Sequence, residues 1–234
     1  MRRAVVTQAR RALVDQVPRD HEQPDSAFRR RRVVVAVTLA VGAALLWRSL
    51  SVRPGDASFY PLTAALAAVW VIGGFASGPL HLGRIALGSR LRRPLVTPLA
   101  IGLLSALVFV LGALVVREIP PLRDLTDRVL AHARQGAVPL IVLLTLVNGI
   151  AEEIFFRGAL YAAIGRRHAV LFSTVLYTLA TVATGNVMLV FAALLLGVVW
   201  GLQRRASGGI LASTISHVTW SAAMVFALPP LFAH

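Results

Sequence analysis

Apolar residues gather into seven segments along the chain, at about 33–47, 58–76, 95–116, 138–164, 168–185, 187–203 and 208–228. A helix rising ~1.5 Å per residue needs ~20 residues to cross a ~30 Å hydrocarbon core. Most segments approach that length, the first and sixth being the short ones. The pattern predicts an all-α fold, a polytopic transmembrane bundle of about seven helices. It divides the chain into a polar, basic tail over 1–32 and a transmembrane domain over 33–234. In the tail, Val5, Val6, Leu13 and Val17 have the spacing of a short interfacial helix stopped by Pro18. Arginines interrupt its apolar face, so the expectation is a solvated cytoplasmic tail. Between the third and fourth segments, Leu122, Leu125 and Val129 lie among Arg117, Glu118, Arg123, Asp124, Asp127 and Arg128. That mixture predicts a short amphipathic helix on the outer surface, begun by Pro120-Pro121 and ended by Gly136.

Charge orients these segments. Arg29–Arg32 precede the first, Arg84, Arg90, Arg92 and Arg93 follow the second, Arg166 and Arg167 follow the fourth, and Arg204 and Arg205 follow the sixth. The alternate connections carry less excess positive charge, which by the positive-inside rule predicts an N-inside, C-outside topology. The net charge of +14 comes from 24 arginines and no lysine. Because they cluster at the ends of apolar runs, they point to an anionic membrane and not to nucleic acid. With 57% hydrophobic and 15% charged residues, a soluble domain is excluded as a class. The absence of cysteine removes disulfides, thiol nucleophiles and Cys-ligated zinc. Arginine in place of lysine, with abundant Ala and Val, suggests a GC-rich bacterial genome, hence a multi-pass protein of the bacterial cytoplasmic membrane. No internal repeat supports an inverted-repeat transporter.

Candidate chemistry is concentrated in the last four segments. Glu152 and Glu153 lie inside the fourth, where a carboxylate costs roughly 2.5–3.5 kcal/mol at the bilayer centre. Arg157 follows Glu153 by four residues and shares its helical face, an intramembrane ion pair with a structural role. Glu152 has no local cation, so it is protonated, activates a water or binds a metal. Thr145, Asn148 and Glu152 form one stripe; Ser173, Thr174, Tyr177, Thr178 and Thr181 form a second; Ser213, His217 and Ser221, flanked by Trp220, form a third. Counting residues from the arginines puts Glu152, Thr181 and His217 at comparable depth, so a carboxylate, a hydroxyl and an imidazole are expected to converge in one pocket. A proton or small-solute pathway lined by Glu152 and His217 is a further reading of the same stripes.

These residues resemble the CPBP family, the CAAX-type and bacteriocin-processing intramembrane proteases also called Abi. Glu152-Glu153-Ile154-Phe155-Phe156-Arg157 matches its Glu-Glu-x-x-x-Arg motif, and His217-Val218-Thr219-Trp220-Ser221 takes the place of its His-x-x-x-Asn/Asp motif. The similarity covers about 138–225. The middle Phe-x-x-x-His motif is represented by Tyr177-Thr178-Leu179-Ala180-Thr181, with threonine where the family has histidine. The resemblance implies an intramembrane endopeptidase acting on a peptide or membrane-protein substrate within the lipid bilayer. Glu152 would be the general base, Glu153 with Arg157 the structural pair, and His217 with Ser221 the oxyanion contacts, Thr181 marking the altered position. Asn148, Tyr177 and Trp220 are the candidate substrate-binding residues. The glutamate mechanism needs no cofactor. A metal-dependent variant would place a divalent ion such as zinc on Glu152 and His217, short of the three protein ligands usual for catalytic zinc. The alternative is a catalytically weakened member that binds a peptide or partner in the membrane without cleaving it.

Overall fold

The structure is a computed structural model that describes residues 2–18, 22–87, 90–165 and 167–233. Arg166, assigned above to the connection after the fourth segment, lies outside the described residues. The elements in order are α1 (Arg2–Leu13), α2 (Asp25–Leu50), α3 (Phe59–Ala76), the two short strands β1 (Ile85–Leu87) and β2 (Arg90–Arg92), α4 (Val96–Val116), α5 (Pro120–Arg134) and α6 (Val138–Glu152). A π-helical stretch over Glu153–Leu160 prolongs α6 and ends in one α-helical turn, α7 (Tyr161–Ile164); α8 (Ala169–Val182), α9 (Val187–Ser207) and α10 (Leu211–Leu231) follow. Among the described residues, six spans are long and apolar enough to cross a membrane, with Val138–Ile164 counted as one. The chain is an all-α polytopic membrane bundle, as the apolar pattern predicts.

The short segment is the fifth and not the first or the sixth. With 14 residues, α8 extends ~21 Å, less than the hydrocarbon thickness. The first segment gains length because α2 starts at Asp25, so the four-arginine run forms its opening turns. The amphipathic helix over 117–136 appears as α5, with Pro120 in its first turn. It is tied down at this end of the bundle: Asn186 donates through Nδ2 to the Leu125 carbonyl at 2.6 Å, while its Oδ1 caps α9 by accepting from the Met188 and Leu189 amides.

At the arginine-rich end the tail is not a free, solvated strand. It contains α1, whose Ala12 is buried, and it runs beneath α9. The last carbonyls of a helix have no partner within it. Here the Val17 amide donates to the Ala206 carbonyl at 3.2 Å and the Arg84 amide to the Ser207 carbonyl at 2.8 Å. The expectation from side-chain pattern alone overlooked this demand of the helix terminus.

The main core lies between α2, α3 and the π-helical stretch. Trp70 stacks on Phe155 with ring centroids 4.6 Å apart, and Phe156 continues the aromatic packing to Tyr177 of α8 at 4.6 Å. Close approach of α2 and α3 depends on Gly42, where an added methyl would overlap the Trp70 indole. Gly42→Val is expected to cost about 1–3 kcal/mol through overpacking. Gly112→Ala meets nothing within 4 Å and serves as the control, neutral or stabilising by up to about 1 kcal/mol. Thermal midpoints in detergent micelles check both.

Candidate active site

The two glutamates stand where α6 changes from i→i+4 to i→i+5 hydrogen bonding. Such widened turns occur mostly singly and often at functional sites. From Phe155 to Leu160 every side chain is buried, so this part of the fourth span lies at the bundle centre with no lipid face.

Glu153 is fully buried, at 0% exposure. Its Oε1 lies 3.0 Å from Arg157 Nη1 and 3.0 Å from His217 Nδ1. The Arg157 guanidinium also lies over the rings of Tyr177 and Trp200, at 4.6 and 5.4 Å from their centroids. Its carbonyl accepts from Arg204 Nε at 2.7 Å. The His217 ring stacks on Trp200, with centroids 4.0 Å apart and planes 19° apart. A carboxylate can only accept, so this bond fixes the His217 proton on Nδ1 and directs Nε2 elsewhere. The expected Glu153–Arg157 pair is therefore present, and it includes His217 as a third member.

Glu152 is half-buried. It accepts a hydrogen bond from the Tyr177 hydroxyl, Oε2 to Oη 2.7 Å. The anticipated convergence is thus divided between two neighbours. His217 bonds Glu153, and Glu152 is bonded from α8 by Tyr177. Residue counting treats 152 and 153 as sharing a depth, but it cannot assign adjacent side chains of a widened helix to different neighbouring helices. Thr181 Oγ1 donates to the Tyr177 carbonyl of its own helix at 3.0 Å, the usual use of a membrane threonine.

Asn148 lies one turn before Glu152 on α6. Its Nδ2 donates to the Leu144 carbonyl at 2.9 Å and the Thr63 carbonyl at 3.3 Å, while its Oδ1 is buried without a partner among the described residues. Trp220 is half-buried and packs edge-on against Phe109 at 5.3 Å. Ser221 is buried on α10, one turn beyond His217. A methyl group on Gly149 would lie 3.5 Å from His217 Nε2 and 3.6 Å from Ser221 Oγ, so the missing side chain leaves an atom-sized opening onto both groups. Gly149 and Glu152 are three residues apart on α6 and border the same helical face.

The sequence reading did not single out Gly149, Gln203 or Ser216. Gln203 Nε2 donates to Ser216 Oγ at 2.8 Å, and Ser216 Oγ donates to the Pro98 carbonyl at 2.7 Å, a buried link between α9, α10 and α4. The spacing of Trp200, Gln203, Arg204 and Ser207 on α9 is a polar stripe of the same kind as the other three and could have been found. Gly197 of α9 is a packing position: a methyl there would lie 2.9 Å from Thr174 Cγ2 of α8.

No group of three or more His, Cys, Asp or Glu side chains arranged for a metal occurs among the described residues. Glu152 and His217 are also held by different partners. The donor set does not fit the three-ligand arrangement of catalytic zinc, and the chemistry below uses no metal.

The polytopic bundle thus carries a buried Glu–Arg–His cluster and, beside it, a second, half-buried glutamate. Residues 134–223 match the family model for type II CAAX prenyl endopeptidase Rce1-like proteins. The match bears out the resemblance drawn from the motifs and spans every candidate residue named above. No curated protein and no solved structure matches the chain.

Removing Arg157 would leave Glu153 buried beside a single partner. Arg157→Met is expected to lose about 3–5 kcal/mol of stability. In the double variant with Glu153→Gln, the loss should be smaller than the sum of the two single losses; chemical unfolding in micelles provides the values, and strict additivity would contradict the pairing.

Proposed function

We propose that this protein is an intramembrane endopeptidase of the bacterial cytoplasmic membrane, with its arginine-rich end toward the cytoplasm. It hydrolyses a peptide bond of a membrane-associated peptide or protein with a water activated by Glu152. The observation that carries this reading is the different environment of the two adjacent glutamates. Glu153 is consumed by Arg157 and His217, whereas Glu152 is half-buried with one hydroxyl partner and remains available to a water.

In this mechanism Glu152 takes a proton from water as the oxygen attacks the scissile carbonyl carbon. The carbonyl oxygen occupies the opening at Gly149, against His217 Nε2 and Ser221 Oγ. Protonated His217 has an Nε2–H to donate, and the cluster of Glu153, Arg157 and His217 then has one net positive charge. That charge is complementary to the developing oxyanion, and the apolar surroundings strengthen the attraction. Glu152 returns its proton to the leaving amine. Tyr177 donates to the Glu152 carboxylate and orients it, a task for which Thr181 cannot substitute because its hydroxyl is used on its own helix. Asn148 and Trp220 border the substrate path, with the unpartnered Asn148 Oδ1 available to a peptide amide.

The threonine at position 181, where the family motif has histidine, favours a second reading, a protein that retains substrates without cleaving them. One panel of variants separates the two in an in-membrane cleavage assay on candidate peptides. Glu152→Gln should lower cleavage about 10²–10⁴-fold, the usual contribution of a general base. Gly149→Ala should keep the wild-type unfolding midpoint yet fill the oxyanion opening and suppress cleavage. Thr181→His should raise turnover. Equal cleavage by wild type and Glu152→Gln would reject the glutamate mechanism, and substrate capture without cleavage in every variant would favour the binder.

A further inference from the structure

A cavity lies at the arginine-rich end, bordering the helical segment that follows Arg157. It encloses about 1320 Å³ between the tail, α2, the segment after α3, and helices α7 to α9. Its polar end is lined by Arg31, Arg204, Arg205 and His81, with Glu22 as the acidic lining residue among those described. Arg31 is only 2% exposed. Its Nη2 donates to the Pro79 carbonyl at 3.1 Å, and its Nε and Nη1 have no partner among the described residues. Gly78 makes room for this side chain: it adopts φ +135, and a methyl there would lie 2.6 Å from Arg31 Nη2. A guanidinium buried with two unpaired nitrogens is costly unless an anion accompanies it. His81 senses the same positive field, since burial first and then the charges of Arg204 and Arg31 hold its imidazole below the usual range.

The other end of the cavity is apolar. Leu171 and Val175 of α8 and Leu194 and Val198 of α9 line it and are exposed at the bundle surface, forming a trough that leads from the arginines into the lipid-facing side. Clustered basic residues continuous with a membrane-facing apolar trough match a molecule with an anionic head and a hydrocarbon tail.

We propose that this cavity is a binding site for an anionic phospholipid, its phosphate held by Arg31, Arg204 and Arg205 and one acyl chain lying along the α8–α9 trough. This site adjoins the candidate active site through one bond: Arg204, at the wall of the cavity, also donates to the Arg157 carbonyl. A bound phosphate adds a contact to the already buried Arg204 and so braces the helix that holds the Glu153–Arg157 pair.

The test uses the full chain in phosphatidylcholine nanodiscs to which phosphatidylglycerol is added, with the thermal midpoint and the lipid retained in native mass spectrometry as readouts. Phosphatidylglycerol should be retained and should raise the midpoint. Arg31→Gln should weaken its retention roughly tenfold, the loss of one charge-assisted contact. Arg30→Gln removes the same charge from an exposed neighbour and should leave retention unchanged. Val198→Trp fills the trough while sparing every arginine, so it should also weaken retention, and it keeps the test informative if Arg31→Gln does not fold. Equal retention of phosphatidylcholine, stabilisation by inorganic phosphate alone, or wild-type retention by both Arg31→Gln and Val198→Trp would overturn the proposal.

Discussion

A carboxylate without any exposed surface is costly in an apolar bundle unless charged or hydrogen-bonding partners meet it, and the rest of this structure is arranged to supply them to Glu153. Arg157 comes from the next turn of the same helix, and His217 comes from α10, each at 3.0 Å from one oxygen. Holding those two groups fixes the relative positions of the fourth and last spans. It also requires aromatic surfaces to cover the guanidinium and the imidazole, and Tyr177 and Trp200 provide them. The π-helical stretch belongs to the same constraint, because it is the segment in which a charged pair and two phenylalanines are all buried.

The same constraint leaves Glu152 free. Adjacent residues on a helix point in different directions, so committing one carboxylate to the bundle interior turns its neighbour toward α8. There Tyr177 bonds it with a hydroxyl and no charge, which orients the carboxylate without neutralising it. The Gly149 opening, bordered by His217 Nε2 and Ser221, lies one turn away. An assembly that orders the bundle thus also leaves two adjacent carboxylates in different surroundings, Glu153 enclosed and Glu152 half-buried. Arg204 extends the assembly to the arginine-rich end, where lipid chemistry enters the account.

Much of this was legible in the chain. Apolar segments and flanking arginines marked the spans, because burial in lipid demands long runs and charged ends. Pro120 and the mixed polarity around it marked α5, and the four-residue spacing of Glu153 and Arg157 marked their pair. Features that depend on neighbouring elements were hidden. The tail reads as solvated until the unpaired carbonyls at the end of α9 are counted. The fifth span reads as full length until α8 stops at Val182. His217 appeared to belong with Glu152 because a depth count carries no information about rotation, and the widened turn changes that rotation where it matters. Tyr177 occupied a familiar motif position, but its hydroxyl bond to Glu152 follows only from the packing of α8.

The central claim is that the two glutamates have separate duties, Glu153 locked in the ionic cluster and Glu152 accessible. A hydrophobic carbodiimide, which modifies carboxyl groups that it can reach within a membrane, tests this directly when the labelled peptide covering residues 151–157 is sequenced by mass spectrometry. The account predicts the adduct on Glu152 with Glu153 unmodified. An adduct on Glu153, with Glu152 protected, would contradict it.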